Sequence, residues 1–298
     1  MRDRKALREV LLVYLAVTVA TVLVTRLRSV PAASDYVHLV VGALFLVTAV
    51  KLAERERGGL RRFGIDLAGV FAPPEEDEAA TATEAATATE AATATEAATA
   101  TEAATATEAA TATEAATATA AATATIAPPR RRSATVELLG ALRDALPVAL
   151  RETGVALGVV ALVFPPFALA FHFWHGPAHA FVLRWPADLA SFALAQVVVV
   201  ALPEEALFRG FVQTRLDDAF PRTVRLLGAD VSPVALLLQA ALFGLMHYAV
   251  DLTPERLAVA FPALLFGWLR AWRGGIGAAI LVHAMSNVYA DILVRGWL

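Results

Sequence analysis

Ala195-Gln196-Val197-Val198-Val199-Val200-Ala201-Leu202-Pro203-Glu204-Glu205-Ala206-Leu207-Phe208-Arg209 sets two adjacent carboxylates and a guanidinium inside a strongly apolar stretch. Ionised groups in such surroundings are costly, so acids of this kind are functional candidates when the stretch lies in a membrane. The alternative is a salt-bridge cluster at a helix end, exposed at the membrane surface. Depth separates the two. Phe208-Arg209-Gly210-Phe211-Val212-Gln213 stays largely apolar until Arg215, so a tilted helix from Asp188 to Leu216 carries Glu204 near its middle, below the headgroups. Within that helix Glu205 and Arg209 are four residues apart and share a face, while Glu204 is rotated by about 100° toward another wall. Pro203 lacks the N–H of one backbone hydrogen bond and marks a potential kink.

Working outward, 58% of the 298 residues are hydrophobic, above the roughly 45–50% of soluble domains, and the mean hydropathy is +0.60. Alanine inflates both values, so individual segments decide. Apolar stretches near the roughly 20 residues of a membrane span occur at about Val10–Thr25, Tyr36–Ala53, Gly154–Trp174, Asp188–Leu216, Pro233–Val250, Arg256–Trp272 and Gly277–Leu293. The expected fold is all-α: a polytopic transmembrane bundle of about seven spans. The first stretch follows a basic start and resembles a signal peptide, with Pro31-Ala32-Ala33-Ser34 as a small-residue site. Arg26 and Arg28 before that site favour a retained helix.

Ten of the 28 acids fall within residues 71–125, which hold no Lys or Arg, leaving 18 acids against 25 bases and a balance of +7 elsewhere. Those bases are spread among loops, which suits a membrane protein and not a nucleic-acid binder. Alternate loops are arginine-rich, predicting a cytoplasmic N-terminus and an external C-terminus. From Thr81 to about Thr119 runs a six-residue repeat, Thr-Ala-Thr-Glu-Ala-Ala, without a large apolar residue. A period of six matches no helical repeat and builds no core, so it reads as a low-complexity linker, disordered by composition. The expected organisation is N-terminal membrane helices over 1–70, the linker over 71–132, and a membrane core over 133–298. No cysteine is present, which excludes disulfides, thiolate metal sites and Cys nucleophiles.

Later apolar spans supply partners for the acids. His247 ends Phe243-Gly244-Leu245-Met246-His247, and His283 and Asn287 are four apart, so both can point into one cavity. An imidazole N–H and an amide NH₂ are suitable donors for a developing oxyanion. Carboxylates withdrawn from water become stronger bases. His172, His175 and His179, in an expected short external loop, have spacing that could bind a metal, yet Trp174 and Pro177 also fit an interfacial loop.

Glu204-Glu205-x-x-x-Arg209, Phe243-x-x-x-His247 and His283-x-x-x-Asn287, in that order, resemble the three motifs of the CPBP family. These are the CAAX-prenyl-protease-like and bacteriocin-processing intramembrane proteases, also called ABI or Rce1-type glutamic proteases. The likeness runs from about Asp188 to Tyr289, roughly a third of the chain. It implies a helical membrane fold with the motifs around a conical cavity, and hydrolysis of a peptide bond in a membrane-associated protein or peptide. By this resemblance Glu204 is the base that activates water and His247 holds the same water. Glu205 and Arg209 support them, and His283 with Asn287 stabilises the oxyanion. No cofactor is implied. A zinc-dependent version would use Glu204, His247 and His283 as ligands, although no short His-Glu-x-x-His motif is present. Other classes remain: a non-catalytic scaffold or immunity factor of the same fold, or a transporter coupling protons through Glu204 and Glu205. Ala/Arg richness with very little Lys points to a bacterial inner membrane.

Overall fold

The computed structural model of the protein describes residues 4–65 and 134–298. The expected 71–132 linker with its hexapeptide repeat lies outside the described residues.

Helices form at all seven expected positions: α1 (Arg4–Thr25), α2 (Val37–Ala53), α3 (Ala134–His175), α4 (Leu189–Ala219), α5 (Pro233–Asp251), α6 (Ala260–Arg273) and α7 (Gly277–Trp297). Five are long and apolar enough to cross a membrane: α1 with the 3₁₀ turn after it, α3 from Ala145, α4, α5 and α7. The other two are shorter. α2 has 17 residues, and α6 has 14 because Pro254 starts a separate 3₁₀ turn, Pro254–Val259, ahead of it. α3 starts well before the expected Gly154 and holds Pro147, Pro165 and Pro166 without a break. It also runs through His175, so His172 and His175 close a helix instead of lying in a loop. Stacking of Phe171 on Trp297 accompanies that last turn.

α4 is not a uniform helix. Leu202–Glu205 keeps α geometry, whereas Gln196–Ala201 before it and Ala206–Val212 after it are π-helical. Pro203 has no N–H to return to the carbonyl four residues back, and a widened register accommodates that loss. The two acids therefore occupy a single α turn between two wider ones. α2 crosses α4 beside this point, and Gly42 permits it: a Cβ there would stand 2.6 Å from Val199 O. Further along, Gly210 admits Ile65, whose Cδ1 would be 2.7 Å from an added Cβ. Small residues at crossings let membrane helices approach closely.

The core around α4 joins Phe45 of α2, Phe208 and Phe211 of α4, and Phe243 of α5 with Val10 and Val17 of α1. Phe208 meets Phe243 edge-on at 4.9 Å. Ion pairs cluster at the two ends of the bundle. At one end Arg215 bonds Glu9 and Asp218, Arg62 bonds Asp218 at 2.6 Å, and Arg273 bonds Glu152 at 2.6 Å. At the other end, Asp251 pairs with Arg256 at 2.6 Å and Arg28 at 3.5 Å. Loops expected on one side of the membrane are thus joined to each other. The sequence reading missed one element, a hairpin of β1 (Val224–Leu226) and β2 (Ala229–Val231) between α4 and α5.

Candidate active site

α4, α5 and α7 bring the expected polar residues to one place. Glu205 and Arg209 are fully buried and paired, Arg209 Nη1 donating to Glu205 Oε1 at 3.0 Å. Arg209 Nη2 donates to Ala263 O of α6 at 3.2 Å, and the guanidinium lies over the rings of Phe243 and Phe266 at 4.5 and 5.1 Å. A buried ion pair persists only when its remaining hydrogen-bond and charge demands are met, and these contacts meet several of them. α6 is fixed in turn by buried amides: Gln213 Nε2 donates to Gly267 O at 2.9 Å and Gln239 Nε2 to Ala263 O at 3.0 Å. A Cβ at Gly267 would fall 2.5 Å from Gln239 Nε2, so a larger residue there would displace one of these buried amides.

His283 is the link between the two acids. Its Nδ1 lies 2.7 Å from Glu205 Oε1, and a carboxylate only accepts, so Nδ1 carries the proton. Its Nε2 then faces Glu204 Oε2 at 3.8 Å. The ring stacks on Phe266 at 4.8 Å with 15° between planes, which fixes its tilt. His247 is held by the same logic: Nδ1 donates to the Phe243 carbonyl at 2.9 Å, leaving Nε2 4.0 Å from Glu204 Oε2. Both histidines therefore turn Nε2 toward one carboxylate oxygen.

Glu204 differs from Glu205 in having no such partners. Its Oε2 is buried without a hydrogen bond from the protein, and the residue lines a cavity of about 420 Å³ together with His247, His283 and Asn287. Distances of 3.8–4.0 Å are too long for direct hydrogen bonds and suit a shared water or reacting group.

Residues 185–289 match the family model described as type II CAAX prenyl endopeptidase Rce1-like. This segment is similar to an Rce1-like domain. It runs from just before α4 into α7, close to the Asp188–Tyr289 range of the motif likeness, and holds all seven motif residues. The chain thus carries a segment similar to an endopeptidase family among helices of membrane length. No curated protein and no solved structure matches the chain.

Two features of the cavity were not anticipated from sequence. Asn287 Nδ2 donates to Gln196 Oε1 at 2.9 Å, so the asparagine is oriented from α4 and not by His283. Gln196 is the one polar residue in the Ala195–Leu202 run, which was its available signal. The cavity is also lined by Arg28, His38, Asp251 and Arg256, where α1 and α2 meet α5 and the Pro254–Val259 turn. Arg28 and His38 lie before the matched segment in sequence, so the N-terminal helices complete the cavity wall.

Among the described residues no set of three His, Cys, Asp or Glu side chains converges as metal ligands. The terminal histidines do not meet: His172 packs on Trp297, His175 on Phe171, and His179 Nδ1 contacts Ala180 O. Aromatic packing at the end of α3 accounts for His172 and His175.

Proposed function

We propose that the protein is an intramembrane endopeptidase in which Glu204 activates water against a peptide bond of a membrane-associated protein or peptide. The observation that carries this reading is the buried, unpartnered Oε2 of Glu204, flanked at 3.8 and 4.0 Å by two Nε2 atoms. A water between Glu204 Oε2 and His247 Nε2 hydrogen-bonds to both. Glu204 takes one proton as the water oxygen adds to the peptide carbonyl. The oxygen of that carbonyl becomes an oxyanion, and His283 in its imidazolium form donates to it from Nε2. Asn287, held by Gln196, adds a second dipole. Glu204 then returns its proton to the leaving amine, the C–N bond breaks, and a carboxylic acid and an amine are released. Glu205 and Arg209 do not touch the reacting atoms. The carboxylate orients and supports the His283 cation, and Arg209 balances the carboxylate.

The reading needs neither a Ser nor a Cys nucleophile and no cofactor. It places the protein in a bacterial inner membrane with the N-terminus cytoplasmic. The ion pairs among Glu9, Glu56, Arg62, Arg215 and Asp218 support the grouping of these segments on one side, and their arginine richness is what assigns that side to the cytoplasm. Terminal-peptide mass spectrometry on membranes from cells carrying wild type, Glu204→Gln or no protein tests the function. New protein termini should appear with wild type only. Identical termini in wild-type and Glu204→Gln membranes, both absent from the deletion, would move catalysis away from Glu204. Restoration of a deletion phenotype by Glu204→Gln would favour a scaffold. Stoichiometric zinc with chelator-sensitive cleavage would recast Glu204, His247 and His283 as ligands.

A further inference from the structure

The hairpin between α4 and α5 takes no part in this chemistry. Its strands pair Val224 with Val231, Arg225 with Asp230 and Leu226 with Ala229. Alternation along a strand puts Arg225 and Asp230 on one face and Val224, Leu226, Ala229 and Val231 on the other. On the apolar face Ala229 and Val231 are buried, whereas Val224 and Leu226 are exposed. The turn is Leu227-Gly228 with φ of +47° and +85°, the doubly positive form of a two-residue hairpin. Glycine adopts that conformation freely, and Asn or Asp commonly fills its first position. Leucine does so only against its backbone preference. Here Leu227 is nevertheless 81% exposed. A disfavoured backbone that presents a large apolar side chain to its surroundings has no rationale in a loop facing water.

We propose that this tip inserts into the headgroup–acyl boundary of the bilayer that the chain spans. The hairpin joins two helices of membrane length, so it is held at a membrane surface and its apolar tip is continuous with an interface already present. Trp268 and Trp272 of α6 stack beside it at 5.0 Å, and Trp268 Nε1 donates to Leu226 O at 2.9 Å. Trp272 is itself exposed, near Gly228. An amphipathic ring pair with an apolar flank is the composition of the membrane–water boundary. Arg225 and Asp230, paired on the opposite face, stay with water and headgroups. The anchor has a consequence for the cavity. Trp268 follows Gly267, whose carbonyl accepts Gln213, and Ala263 one turn earlier accepts Arg209. A hairpin seated in the boundary therefore braces the helix that holds Arg209.

This inference is independent of the protease reading. The chain has no cysteine, so Leu227→Cys and Asp230→Cys each create a unique labelling site. Each is labelled with the environment-sensitive dye NBD in full-length protein reconstituted in phosphatidylcholine–phosphatidylglycerol vesicles, with the thermal melt checked against wild type. Dye on 227 should be blue-shifted, quenched by lipids carrying a nitroxide near the headgroup, and shielded from aqueous iodide. Dye on 230 should show the reverse. Quenching of the 227 dye by iodide would overturn the proposal. A blue-shifted 227 dye insensitive to both quenchers would also overturn it, because a second protein surface would then cover the tip. Should either cysteine variant fail to fold, the difference in native tryptophan quenching by the same lipids between wild type and Trp272→Ala, which keeps the other four tryptophans, isolates the Trp272 contribution: a lipid-quenched difference supports the anchor and an iodide-quenched one overturns it.

Discussion

His283 donates from Nδ1 to Glu205 Oε1 at 2.7 Å, and this bond fixes which ring nitrogen is turned toward Glu204. Two neighbouring acids thereby acquire different tasks. Glu205 is committed to His283 and Arg209, while Glu204 Oε2 keeps its accepting capacity for the cavity.

Glu205→Gln keeps an oxygen that accepts from His283 Nδ1 but removes the negative charge that supports the His283 cation, so kcat should fall by about 10²-fold with KM little changed. Because Arg209 is then left buried and unpaired, the variant should also lose stability, by about 3–5 kcal/mol where a buried pair is broken. A kcat–KM split together with a thermal melt in detergent checks both.

Gln196→Leu removes the acceptor that orients Asn287 without touching either acid. A single oxyanion donor contributes about 10²–10³ in kcat, so a misdirected Asn287 should cost at most that much. Gln196→Glu keeps an acceptor oxygen and should recover part of the rate. Equal losses in both variants would assign Gln196 some other role.

Two ion pairs should respond very differently to removal. The carboxylate and guanidinium of Glu152 and Arg273 are 3% and 9% exposed, and those of Asp251 and Arg256 are 25% and 51% exposed. Glu152→Gln should destabilise by about 3–5 kcal/mol, whereas Asp251→Asn should cost no more than about 1 kcal/mol. Melting curves of the two variants, measured side by side, make the comparison.

Gly42→Val should push α2 away from α4, since its Cβ would start 2.6 Å from Val199 O. Overpacking of this kind costs about 1–3 kcal/mol. It should also lower turnover, because α2 residues Val41 and Phe45 line the cavity with Glu204. Gly158→Val, where nothing lies within reach of the new atom, serves as the neutral control.

The motif helices were legible because a long apolar run with few charges has one reading in a bilayer, and the spacings 205/209 and 283/287 carry over directly to shared faces. What escaped the sequence was set by tertiary contact. The π-helical turns around Leu202–Glu205 flank Pro203 where Gly42 packs on Val199, and only the proline is visible in a linear pattern. The hairpin has three-residue strands and a Leu-Gly turn lacking the usual Asn-Gly signal, so it read as loop. Gln196 looked like an isolated polar residue until Asn287 of α7 was placed against it. The contribution of Arg28 and His38 to the cavity depends on α1 and α2 folding onto α4 and α5, which no local motif records.

The central claim is that Glu204 is the base. Purified wild-type and Glu204→Gln protein, reconstituted in identical vesicles, should be compared on a peptide identified from the membrane proteome. The account predicts that Glu204→Gln melts like wild type and loses cleavage by about 10²–10⁴-fold. Cleavage at the wild-type rate by the folded variant would contradict it.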